Sequence, residues 1–174
     1  MKTLRIIARV LVGLLFIFSG YVKVIDPVGS QIKFGEYFEA FHMSALAPAS
    51  LVFGILLAVA ELVMGICMLF NIKVKLVSWA TLAFMIFFTI LTFILAVFNP
   101  VTDCGCFGDA IKLSNWETFY KNLIILPITI LIFTQRNNYK AFFTYKMEGV
   151  LLFFMVAYTI GIAIYSYRHL PLID

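Results

Sequence analysis

The chain is 174 residues long, 63% hydrophobic and 13% charged, with a formal net charge of +4. Soluble domains carry about 25% charged residues, so this composition, with a mean hydropathy of +1.04, excludes an ordinary water-soluble globule. The basic residues sit scattered at the ends of apolar runs and form no patch, which argues against a nucleic-acid partner and makes them topology signals.

Crossing a bilayer takes roughly 20 helical residues, and in lipid a helix is the form in which a single segment satisfies its own backbone. Five runs meet or approach that length: residues 4–25, 48–70, 76–98, 119–134 and 149–167. The predicted fold is an all-α membrane protein, a bundle of four to five transmembrane helices in a single domain over residues 1–174. Membrane lipid is therefore its first expected partner.

The first run has the basic start of a secretory signal, but Phe18-Ser19-Gly20 lacks the small-x-small pattern that cleavage needs. It reads as a helix with Arg9, Gly13, Phe16, Gly20 and Lys23 on one face. After it, Phe34, Tyr37, Phe38 and Phe41 stand at i, i+3, i+4 and i+7, predicting an interfacial amphipathic helix in the first outer loop, placed to roof the next loop on that side.

The second run sets Gly54, Ala58, Glu61, Gly65 and Met68 on one face, where Gly54, Ala58 and Gly65 are small enough to let helix backbones approach closely. An unpaired carboxylate at mid-depth costs about 2.5–3.5 kcal/mol on insertion scales. Antiparallel packing of the first two helices predicts an Arg9–Glu61 pair, with a proton- or quinone-linked role for Glu61 as the alternative. Cys67, near the other end of this run, is expected to serve packing. The fourth run is the shortest: Lys121 and Asn122 intrude at its outer end and Pro127 is expected to kink it, which leaves a re-entrant segment as its alternative.

In an alternating five-helix arrangement, eight basic residues fall on one side (Lys2, Arg5, Arg9, Lys73, Lys75, Arg136, Lys140, Lys146) and five on the other (Lys23, Lys33, Lys112, Lys121, Arg168). Positive residues are retained inside. The expectation is a bacterial inner-membrane protein with a cytoplasmic N-terminus. The loops near residues 26–47 and 99–118 then face outward, as does the C-terminus. The terminal His169-Leu170-Pro171-Leu172-Ile173-Asp174 reads like a linker, the pattern expected where an outer domain follows.

Chemistry concentrates in Asp103-Cys104-Gly105-Cys106-Phe107-Gly108-Asp109, which holds two of the three cysteines. Two extended residues separate Cα atoms by roughly 6.6–7.2 Å, at or beyond disulfide geometry, so pairing needs a bend, and Gly105 permits one. A bridge over one residue would be strained and labile, suited to exchange. Three readings stand: a redox-active pair, an inert turn with free thiols, and a metal site of His42, Cys104 and Cys106 with a carboxylate. The spacing is tighter than that of structural zinc sites. Asp103 and Asp109 would disfavour a thiolate if close, so turn formation is their simplest role.

The stretch from Arg9 to Pro27, including Ser19-Gly20-Tyr21-Val22-Lys23-Val24-Ile25-Asp26-Pro27, resembles the first helix of DoxX-like membrane proteins, and Glu61 with Gly65 fits the same pattern. The cysteine loop, followed by Asn115-Trp116 and Lys121-Asn122-Leu123, resembles the branch that includes the methylamine-utilisation protein MauE. The resemblance implies a small helical bundle that helps mature an extracytoplasmic client, beside a thioredoxin-like protein. It places Cys104 and Cys106 as the redox pair, with Arg9, Lys23, Asp26, Pro27 and Glu61 as family-pattern positions. Other DoxX relatives pass electrons to quinone, so quinone is an expected acceptor; no bound cofactor is expected.

The leading expectation is a membrane thiol–disulfide oxidoreductase acting through Cys104 and Cys106. Its rivals are a non-catalytic scaffold or assembly partner, a quinone-linked electron-transfer subunit and, last, a transporter using Glu61, which is disfavoured because the hydropathy shows no inverted repeat.

Overall fold

The computed structural model describes residues 2–101, 103–108, 110–139 and 141–169. Asp109 of the cysteine loop, Lys140 of the charge count and residues 170–174 of the linker reading lie outside the described residues. Among the described residues six α-helices form in chain order: α1 (Lys2–Ile25), α2 (Pro27–Ala40), α3 (Ser50–Phe70), α4 (Val74–Phe98), α5 (Asn115–Thr134) and α6 (Tyr145–Arg168). Short 3-10 turns occupy Ser44–Ala49 and Arg136–Asn138. All but α2 are long and apolar enough to cross a membrane, α3 together with the turn that leads into it. The chain is an all-α, multi-pass membrane protein. Its surface carries large apolar side chains such as Leu56, Phe87, Ile90 and Phe153, as a lipid-facing surface requires.

Two helix starts are written locally. Asp26 caps α2 by accepting from the Gly29 N–H at 2.9 Å, with Pro27 in the first turn, where its missing N–H costs nothing. Ser114 and Glu117 form a reciprocal capping box at the start of α5, which begins the helix ahead of its apolar run. α5 is one continuous helix of 20 residues with Pro127 inside it, so the re-entrant alternative gives way to a full-length span. Asn122 is accommodated there because its side-chain amide donates to Thr92 Oγ1 of α4 at 3.2 Å.

Close approach between α1 and α3 sets the register of the bundle. A Cβ on Gly20 would lie 2.4 Å from the Leu62 backbone nitrogen, and one on Gly65 would lie 2.6 Å from that of Ile17. The two backbones touch where the sequence places its small residues. Replacing Gly20 by Ala is expected to destabilise the protein by about 1–3 kcal/mol, read as a fall in the detergent-solubilised melting midpoint; an unchanged midpoint would mean that these helices can separate without penalty.

α4 packs along α5, and α3 along α1, while α3 and α4 meet only weakly. A gap is left between the two pairs. α2 lies against α3 and turns its aromatic face inward: the Phe34 and Phe38 rings sit 6.0 and 5.5 Å from that of Phe53. The amphipathic segment anticipated from the aromatic spacing is thus a packed helix that closes the gap at the end where the cysteine loop lies.

Candidate functional site

The cysteine loop joins α4 to α5 and is pinned at its base. Asn115 spends both amide protons there, on Asn99 Oδ1 and the Val101 carbonyl, each at 2.8 Å. Above that staple, Gly105 and Gly108 adopt left-handed φ values of 60° and 55°, a region open to glycine without strain. The Gly108 N–H closes a turn onto the Gly105 carbonyl at 3.0 Å. This is the bend that the spacing demanded. It brings the Cys104 and Cys106 sulfurs to 2.7 Å as free thiols, with Cys104 buried and Cys106 partly exposed.

Three helices hold this loop through its backbone. Tyr37 of α2 donates its hydroxyl to the Cys104 carbonyl. Lys23 of α1, only 4% exposed, has three ammonium protons and three acceptors: the Cys106 carbonyl at 2.5 Å, Glu61 Oε2 at 2.7 Å and Ser19 Oγ at 2.8 Å. The Ser19 hydroxyl stands 2.7 Å from Glu61 Oε2 and 2.6 Å from the Cys106 carbonyl, with one proton to share between them. Lys33 of α2 pairs with Asp103 at 2.6 Å and with Glu36 at 3.0 Å. A Cβ on Gly105 would press to 2.9 Å from the Lys33 side chain, so the residue between the sulfurs must be small as well as left-handed.

The expected Arg9–Glu61 pair is replaced by a Lys23–Glu61 pair. Helical side chains lean toward their own N-terminus. On antiparallel α1 and α3, Lys23 therefore leans into the bundle and Glu61 leans toward the loop, and they converge. Arg9 leans away, and its guanidinium stands 5.6 Å from the centre of the Tyr139 ring. The His42, Cys104, Cys106 metal alternative is not assembled either: among the described residues no three His, Cys, Asp or Glu side chains gather as ion ligands. His42 is exposed beyond the end of α2 in a left-handed conformation, φ 57°.

Charge is distributed unevenly over the two sulfurs. The hydrogen bond between the two sulfurs, with the ammonium groups of Lys121 and Lys23, outweighs burial and holds Cys106 down to about 7. Cys104 is pushed well above the ordinary thiol range, first by the same hydrogen bond, then by burial and by the neighbouring negative sulfur. Burial also raises the Tyr37 hydroxyl, with the two thiols adding to the effect, so Tyr37 stays a donor. The positive field comes from helices: Lys121 of α5 reaches over the Phe107 ring at 4.3 Å, and Phe107 packs on Phe18 of α1 at 5.5 Å. Asp103 spends its charge on Lys33.

Of the residues marked in the sequence, Lys23, Glu61, Asp103, Gly105, Phe107 and Gly108 join Cys104 and Cys106 in one cluster. Asp26 and Pro27 serve it by starting α2. Cys67 is fully buried in the apolar core far along α3, as a packing residue. Tyr37 belongs to the aromatic helix expected to roof this loop, and it does so; Ser19 and Lys33 are additions from the structure, although Ser19 and Lys23 stand one helical turn apart.

The family model described as Methylamine utilisation protein MauE matches residues 1–135, the stretch that contains α1 to α5 and the cysteine loop. No curated protein matches the chain, and no solved structure does.

Proposed function

The chain belongs to the MauE family, and from that premise we propose that it is a membrane thiol–disulfide oxidoreductase assisting the maturation of an extracytoplasmic client. The observation that carries this reading is the pair of adjacent sulfurs with opposed proton affinities, Cys106 favoured as thiolate and Cys104 as thiol.

In the oxidised protein, a client thiolate attacks the more accessible Cys106 sulfur. The Cys104–Cys106 bond breaks, and the Cys104 sulfur leaves with the electron pair and takes up a proton. A second client thiolate then attacks the client sulfur of the mixed disulfide. The client disulfide forms and Cys106 departs as a thiolate, which its depressed proton affinity makes a good leaving group. The client is oxidised by two electrons and the Cys104–Cys106 pair is reduced by two. A thioredoxin-like protein is the natural relay for a client too large to reach the loop. The eight-to-five bias of basic residues supports an inner-membrane placement with the loop outside the cytoplasm.

The test joins accessibility to titration. A membrane-impermeant maleimide applied to intact cells is expected to label the loop only after reduction. On the purified reduced protein, Cys106 alkylation is expected to rise as pH increases through about 7 and to level off above it, because the reactive thiolate is the deprotonated form. A midpoint near 8.5, the value of an ordinary free thiol, would count against the assignment. So would cysteines labelled equally with and without reductant. A scaffold role would instead leave biological activity intact in the Cys104→Ser/Cys106→Ser double variant.

A further inference from the structure

The sulfurs lie at the end of a cavity of about 500 Å³ between α2, α3 and α4, within the size range of small-molecule sites. Phe34, Phe38, Phe53, Phe84, Phe88 and Leu91 line its walls, and its polar end carries Lys23, Glu61, Cys104 and Cys106. The lining also includes Leu56 and Phe87, which are exposed on the outer surface of α3 and α4, so the cavity opens toward lipid where those helices meet only weakly. Water has little to bond to on these walls, and an apolar molecule loses nothing by entering.

Each round of the proposed exchange leaves a reduced pair that must hand on two electrons, and the described part of the chain has no other thiol nearby. We propose that this cavity is the site of a lipid-soluble quinone, its ring against the sulfurs and its tail passing out between α3 and α4. This inference rests on the thiol-exchange reading. Flat aromatic walls suit a planar ring, and Lys33, which lines the polar end and donates to Asp103 and Glu36, has a third ammonium proton for a quinone oxygen that gains electrons. The step balances: the Cys104 thiol, the Cys106 thiolate, one proton from water and the quinone give the Cys104–Cys106 disulfide and the hydroquinone. Both electrons leave the sulfurs as their bond forms. One hydroquinone proton is that of Cys104 and the other is the one taken from water.

The probe is decylubiquinone, added without oxygen to the reduced full chain in quinone-free lipid nanodiscs. One hydroquinone is expected per pair of thiols lost. Leu57 also lines the cavity, and Leu57→Trp, which fills it, is expected to slow this oxidation about tenfold or more, while the water-soluble oxidant diamide still oxidises its thiols. A photoreactive azidoquinone applied to the Cys104→Ser/Cys106→Ser variant is expected to label α3 and α4 beside the cavity, independently of thiol chemistry. Client exchange without hydroquinone or labelling overturns the quinone site and leaves the exchange reading standing. Labelling in the cavity without client exchange supports the site and sinks the exchange reading. Protection from labelling by decane as strong as that by decylubiquinone assigns the cavity to an acyl chain and overturns the proposal.

Discussion

With the client supplied in its disulfide form, Cys104→Ala is expected to accumulate a mixed disulfide as Cys106 attacks the client disulfide and expels one client thiolate, at least about tenfold more than Cys106→Ala accumulates through Cys104; turnover is expected to vanish in both. The asymmetry comes from access, since Cys104 is 5% exposed while Cys106 is partly open. Cys104→Ala also removes the hydrogen bond that does most to depress Cys106, and leaves the ammonium groups of Lys121 and Lys23 to favour its thiolate. Mass spectrometry of trapped species checks the expectation. Equal trapping by the two variants would remove the functional distinction between the sulfurs.

Breaking the Lys23–Glu61 pair from one side is expected to cost about 3–5 kcal/mol, because the remaining charge is left buried and unpaired. The partners are 4% and 5% exposed, so little solvent screens the pair. Lys23→Met and Glu61→Leu should each lower the melting midpoint sharply, and the double variant should recover much of the loss. The two single variants are expected to differ in chemistry. Lys23→Met also removes a donor from the Cys106 carbonyl and a cation from the neighbourhood of its sulfur, so the alkylation midpoint should rise above 7. Glu61→Leu removes an anion and should not raise it. Single variants as stable as the parent, or a double variant worse than both, would show that the pair does not hold α1 to α3 at the loop.

The spans were legible because hydropathy is summed over about 20 residues and tolerates local interruptions such as Asn122 and Pro127. The helix from Pro27 was legible from four aromatic residues at helical spacing. The cysteine pair and the need for a bend at Gly105 followed from chain dimensions. Misread was the partner of Glu61, because residue depth was judged from position along each helix and not from the direction in which side chains lean. That rule alone points Lys23 and Glu61 at one another. That this helix would roof the cysteine loop was also read from the sequence, but the individual Tyr37 and Lys33 contacts were not, since they depend on where α2 comes to rest on α3, and that position is set by ring packing around Phe53.

One arrangement governs how long a client stays attached. Both cysteine carbonyls are tethered, one by Tyr37 from α2 and the other by Lys23 from α1, so the chain on either side of Gly105 is strung between two fixed posts. When a sulfur is displaced, its backbone does not swing away, and the displaced group remains beside the bond it lost at a high effective concentration. Covalent intermediates on such a loop are short-lived by construction: the protein either completes the transfer or reverts, and in neither case does it keep hold of its client.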